Sequence, residues 1–199
     1  MQHLAKKMFL LIFRIAVFPL VTLYRLCSLS TPQDALFCGI GQLLALFPGK
    51  TGCFLRVAFY SDALKTVSPC CRIDFGSYFP HPDVVIHEGA YIGAYCIVGK
   101  CEIGAHTLIG SFVNILSGKQ QHNFSEPGKT IQSQGGNFTR IRIGTDCWIG
   151  NNSVLMSDIG NRSIIGAGSV VTKQIPPYSV AVGNPCRVIK DLPETPRQY

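Results

Sequence analysis

A beat of six residues in the second half of the chain limits its fold more than any other feature. Aliphatic side chains stand at Ile86, Ile92, Val98, Ile103, Ile109 and Ile115, spaced 6, 6, 5, 6 and 6. The beat resumes at Ile143, Ile149, Leu155, Ile159, Ile165 and Val171, spaced 6, 6, 4, 6 and 6. Glycine follows Ile92, Val98, Ile103, Ile109, Ile143, Ile149, Ile159 and Ile165. A period of six matches neither the 3.6 of a helix nor the 2 of an ordinary strand. It predicts a mainly-β fold, a parallel β-helix in which each hexad is a short strand and a turn. The aliphatic residue enters a continuous core, and glycine permits the tight bend.

The same beat sets the organisation. Regular coils are expected from about 86 to 116 and from 141 to about 175. Between them, SGKQQHNFSEPGKTIQSQGGNFTR at 117–140 is polar and glycine-rich, and an insertion of this kind becomes a loop on one face of the solenoid. IDFGSYF at 73–79 reads as a strand leading in, and the paired prolines of IPPYSVAVGNPCRVIKDLP end the repeat. The expected domains are an apolar helical extension over 1–69, the β-helix over 70–190 with its inserted loop, and a tail over 191–199.

The extension has its own character. MFLLIFRIAVFPLVTLY at 8–24 is nearly all apolar but carries Arg14 and Pro19. An arginine near the middle of a membrane span is costly, and ALFCGIGQLLALF at 35–47 is too short to span. No small-x-small site follows, so signal cleavage is not expected. PGKTGCFLRVAFY at 48–60 reads as a turn and a short helix. Of the formal net charge of +7, residues 1–60 supply +5, from Lys6, Lys7, Arg14, Arg25, Lys50 and Arg56 against Asp34. Basic charge on an apolar segment points to contact of residues 1–47 with a membrane surface, peripheral to the inner face of a cytoplasmic membrane, with helices packed on the coil as the other reading. No basic-aromatic motif of a nucleic-acid module occurs. Nine cysteines, an odd number without a CxxC pair, fit reduced core thiols in the cytoplasm, with Cys96 and Cys147 inside hexads.

Residues 143–190 resemble the hexapeptide-repeat acyltransferases, nearest the galactoside, maltose and xenobiotic O-acetyltransferase branch. DCWIG, SIIGAGSVVTK, the IPP turn and VGNPCRVIK carry the likeness. The resemblance implies a left-handed β-helix assembled as a homotrimer. It also implies acyl-CoA, with acetyl-CoA the most frequent, in the groove between neighbouring β-helices and no required metal. The acceptor would be the hydroxyl or amine of a small molecule or glycan.

On the same resemblance, His122 is the base, in the loop that interrupts the coils. An imidazole titrates near neutrality and can take and return the acceptor's proton. The sequence departs from the family here: Gln120 stands where relatives often carry the histidine, and YIGAYC at 91–96 lacks the asparagine that often orients it. His81, His87 and His106 are the other candidates. Trp148 matches a tryptophan near the reactive end of the co-substrate. Gly166, Ala167 and Gly168 match small residues beside the pantetheine arm, and Thr172 and Lys173 a pair beside pantetheine and nucleotide. Asn184 belongs to the turn that places Arg187 and Lys190, whose charge suits phosphates. A noncatalytic scaffold and a γ-class carbonic anhydrase-like metal enzyme are the alternatives, although the HxxxxH pair of the latter is absent.

Overall fold

The computed structural model describes residues 2–28, 33–64 and 66–194, without the side chains of 2–8 and 33. Helices α1 (Gln2–Cys27), α2 (Gln33–Ala45) and α3 (Gly49–Leu64) come first. The strands begin with β1 (Arg72–Ile73), β2 (Val84–Ile86), β3 (Tyr91–Ile92), β4 (Ile97–Val98), β5 (Cys101–Ile103), β6 (Leu108–Ile109) and β7 (Asn114–Ile115). After the loop come β8 (Ile141–Ile143), β9 (Trp148–Ile149), β10 (Val154–Leu155), β11 (Ile164–Ile165), β12 (Val170–Val171), β13 (Ser179–Val182) and β14 (Arg187–Asp191).

Successive strands go in rotation to three sheets, so the chain winds around a three-sided column. The first face is β1-β3-β6-β9-β11-β13-β14, the second β4-β7-β10-β12 and the third β2-β5-β8. All neighbours pair in parallel except β13 with β14. Tyr91 pairs with Leu108 and Trp148 with Ile164, so one circuit takes about three hexads. Leu108 pairs with Trp148 across the inserted loop, whose 24 residues leave the stacking register intact. All twelve aliphatic anchors point inward, none more than 3% exposed.

Each circuit needs three sharp corners. Tyr95, Phe112 and Asn152 turn one edge with φ of 57–60°, and His106, Asp146, Arg162 and Tyr178 turn another with φ of 54–59°. This conformation costs an L-residue roughly 1–2 kcal/mol. Stacking offsets it: the amides of Phe112, Asn152 and Asp146 donate to Ala94, Ser111 and Ala105 of the coil below, at 2.8–3.0 Å. Close approach also explains the recurrent glycine. A Cβ on Gly150 would lie 2.4 Å from the Ala167 nitrogen. Inside the corners, Thr107 and Ser163 donate their hydroxyls to carbonyls of the next coil.

The helices cap the open end of this column. Tyr24, Phe37, Phe59, Tyr60 and Phe79 form an aromatic cluster, with Tyr60 and Phe79 centroids 4.2 Å apart. Arg56 is fully buried; it donates to Leu44 and Phe47 at the end of α2 and to Ile73 of β1, at 2.9–3.0 Å. Helix C-termini leave carbonyls without intrahelical partners, and here a guanidinium from the next helix serves them. Burial lowers the Arg56 pKa from its ordinary value.

Two expectations are corrected. The strand read over 73–79 is broken, because Asp74–Ser77 form a corner with Gly76 at φ 78°. Coil pairing already starts at Val67, bridged to Ile86, ahead of residue 70. The described basic residues of the extension divide, with Arg25 and Lys50 exposed, Arg14 partly exposed and Arg56 buried. Arg56 is buried, Arg14 Nε lies 3.1 Å from Asp62 Oδ1, and Arg25 donates to the Asp62 carbonyl. The side chains of Lys6 and Lys7 lie outside the described residues.

Candidate functional site

The three faces present different chemistry, because in a two-residue strand one side chain enters the core and the other faces out. The first face shows an apolar row: Tyr91, Leu108, Trp148, Ile164 and Val180 lie in register on successive strands. Trp148 is 56% exposed. Val180 pairs with Lys190, so Trp148 and Lys190 end one row about 14 Å long at roughly 4.8 Å per strand.

The residues matching the family's co-substrate positions surround the last coil. Gly166, Ala167 and Gly168 form the edge between first and second faces, and Gly168 has φ 69° with open space where a Cβ would stand. β12 follows, and Thr172 and Lys173 take the edge beyond it. The Asn184 turn folds back over β12: the Val170 amide donates to Gly183, and the Cys186 amide to Val170. Asn184, Lys173, Arg187 and Lys190 are exposed. Among the described residues no carboxylate pairs with these three cations. A small-residue corner bounded by unpaired cations suits a slender arm ending in phosphates.

The loop 117–140 leaves the column at the edge between second and third faces, the same edge as Lys173. It folds back on itself as a ribbon, with Asn123 N donating to Gly135 O and Asn137 N to Gln120 O. A Cβ on Gly136 would lie 1.8 Å from Gln121 O, so glycine alone lets the returning strand pass the backbone beside His122. Arg140 pairs with Asp83 at the base, and Phe138 sets its ring edge on His81 at 5.6 Å. His122 itself is exposed.

The other candidate histidines are engaged. His81 Nδ1 is 2.8 Å from Asp34 Oδ2, and His87 Nε2 is 3.1 Å from Glu102 Oε1. The His106 ring covers Gly89, where a Cβ would meet its Nδ1 at 2.3 Å. The coil edge from which the His122 loop leaves lies opposite the face carrying Trp148.

Sequence reading missed a charged cluster on the third face. Glu102 lies between His87 and Arg142 (Nε 3.6 Å), beside a cavity of about 460 Å³ that reaches Asp158 and Gln174. The available signal was position: Glu102 and Arg142 are the middle, outward residues of three-residue strands. Among the described residues no group of three His, Cys, Asp or Glu side chains converges to hold a metal ion.

Residues 83–117 and 140–173 match the family described as bacterial transferase hexapeptide (six repeats). The chain is 49% identical over 61 residues to the galactoside O-acetyltransferase of Escherichia coli, covering 30% of each. It spans less than a third of the length of the curated relatives it matches. The solved maltose O-acetyltransferase of Clostridium difficile superposes with a TM-score of 0.70 at 27% identity, over 81% of this chain and 88% of that one. A galactoside acetyltransferase in complex with coenzyme A gives 0.61 at 25%, over 83% and 85%. Residues 83–117 and 140–173 thus match the bacterial hexapeptide-repeat transferase model, and the chain resembles the galactoside and maltose acetyltransferases.

Proposed function

We propose that this protein is an acyltransferase that moves an acetyl group from acetyl-CoA to a hydroxyl or amine of a sugar or glycoconjugate. The observation that carries it is the last coil, where Gly166–Gly168 and three unpaired cations border an open ledge on the family's own positions. The names of the similar structures support acetyl transfer, coenzyme A and a sugar acceptor.

The coil is left-handed in this reading, and the working unit is a homotrimer. The placement of the His122 loop edge opposite the Trp148 face supports assembly, as does the outward apolar row of the first face. A neighbour that sets its first face against the loop edge completes the set. The thioester arm then lies between two columns, with Trp148 walling its reactive end from water. Lys173, Arg187 and Lys190 hold the phosphates.

His122 takes the proton of the acceptor hydroxyl as its oxygen forms a bond to the thioester carbonyl carbon. The carbon–sulfur bond breaks as the tetrahedral adduct collapses, and the leaving thiolate receives the proton from the imidazolium. Holding both reactants in one groove contributes up to about 7–11 kcal/mol, and the base typically 10²–10⁴-fold.

The test is mass-spectrometric detection of acetylated product from purified protein, acetyl-CoA and a panel of sugars. Coenzyme A binding with product on at least one sugar is expected. Binding without product on any acceptor leaves a scaffold, and absence of binding removes the reading altogether.

A further inference from the structure

We propose that the helical cap seats this protein on a lipid bilayer, with the outer side of α1 buried in the interface and the helix lying along the membrane. The inference stands apart from the acyl-transfer reading, since nothing in it depends on His122 or the coil's cations.

Helix α1 is apolar on both sides. Its inner stripe, Leu10, Val17, Val21 and Tyr24, is buried in the protein core. Its outer stripe, Leu11, Ile12, Ile15, Phe18 and Leu26, is 58–69% exposed. An apolar outer stripe at helical spacing has no counterpart in water, where the side facing away from the core is polar. The one polar residue within it, Thr22, donates its hydroxyl to the Phe18 carbonyl at 2.9 Å, so it brings no unsatisfied donor into lipid.

The arginines decide how deep the helix sits. Arg14 pairs with Asp62 Oδ1, and Arg25, itself exposed, donates to the Asp62 carbonyl, so both guanidiniums are drawn towards α3 at the edge of the outer stripe. Phe9–Cys27 is long and apolar enough to cross a membrane. Crossing would carry the Arg14–Asp62 pair, and α3 with it, into hydrocarbon. Pro19, on the outer side, also deprives the Ile15 carbonyl of its helical donor, and water among headgroups can serve that oxygen where hydrocarbon cannot. Both features favour a shallow seat. Leu46 and Phe47, exposed at the α2–α3 turn, extend the apolar surface beyond α1.

With Arg56 buried, Arg14 paired with Asp62 and the exposed Arg25 donating to the Asp62 carbonyl, the seat rests on apolar burial more than on attraction to anionic lipid. The full-length protein should therefore float with vesicles of phosphatidylcholine alone as well as with phosphatidylcholine–phosphatidylglycerol vesicles. The double substitution Ile15→Glu, Phe18→Glu should weaken both by at least about tenfold, with thermal melting and coenzyme A binding unchanged. As a second probe, Phe18→Trp in a Trp148→Phe background should shift its fluorescence to the blue when vesicles are added. Binding that requires anionic lipid, a double variant that floats like the wild type, or unshifted fluorescence would overturn the proposal. So would a change of oligomeric state in the double variant without lipid, which would assign this face to a second copy of the chain.

Discussion

The coil and the helical cap bury the same kinds of side chain by different rules. In the coil, position alone decides: every sixth residue or so is inside, and Ile92, Val98, Ile103, Ile109, Ile149, Leu155 and Val171 are all fully buried. In the cap, partners decide. Arg56 is as buried as any isoleucine because three carbonyls need its donors, while Ile15 is 69% exposed on a helix with no protein over that side. A repeat makes local sequence sufficient, since each coil supplies the surface that the next one needs. A single helix offers no such repeated partner.

The largest effect is expected where the cap departs furthest from the coil. Arg56→Met keeps most of the volume but leaves the Phe47 and Ile73 carbonyls unserved and Leu44 with only the Phe47 amide, at about 1–3 kcal/mol for each carbonyl left dry. A loss of about 3 kcal/mol or more in urea unfolding is expected. An unchanged midpoint would mean that the cap, like the coil, is held by apolar packing alone.

Next comes His122→Ala. Turnover should fall at least about 10²-fold, roughly 2.7 kcal/mol of barrier, with coenzyme A binding and assembly intact. Near-normal turnover would redirect attention to the third face, where His87 is already 3.1 Å from Glu102.

The coil's buried thiols should show in its pH dependence. Burial raises the Cys96, Cys101 and Cys147 thiols above their ordinary value. In the unfolded chain each loses its proton near pH 8.5, while the folded chain keeps it. Stability is thus fully present below that pH and falls as pH rises towards the folded values, on the order of 1.4 kcal/mol per thiol per pH unit. Urea midpoints measured from pH 7 to 10 should decline, and Cys→Ala substitution at the three positions should flatten the slope. An equal decline in the triple variant would trace it to other groups.

How much was legible follows from the same contrast. The hexad spacing places all twelve anchors inside, and the polar run at 117–140 marks the loop, since a core cannot hold a stretch so poor in aliphatic residues. The corner at Asp74–Ser77 was misread as strand because Phe75 and Tyr78 have strand propensity, and the positive φ of Gly76 comes from stacking under the next coil. The inward turn of Arg14 could not be read at all, because Asp62 is 48 residues away and meets it only after three helices have packed. The candidate site residues divide likewise. The last coil's ledge follows from its motif, whereas the Glu102 cluster needs the register of three strands separated by long stretches of chain.

The smallest expected effect separates coil from cap by charge alone. Lys173, Arg187 and Lys190 are exposed, and exposed charge contacts are worth only about 0.2–1 kcal/mol. Alanine at any one of them should therefore raise KM for acetyl-CoA about 2–5-fold while kcat stays near its original value, and added salt should shrink the difference. Lys50, equally exposed but at the start of α3, is the control. Its alanine variant should leave KM unchanged, because a Debye length of about 8 Å at physiological salt confines each charge to its own surroundings. If Lys50→Ala raises KM as much as Lys173→Ala, the cations act as a general positive field around the molecule. Lys173, Arg187 and Lys190 beside the Gly166–Gly168 ledge then lose their claim to hold the phosphates.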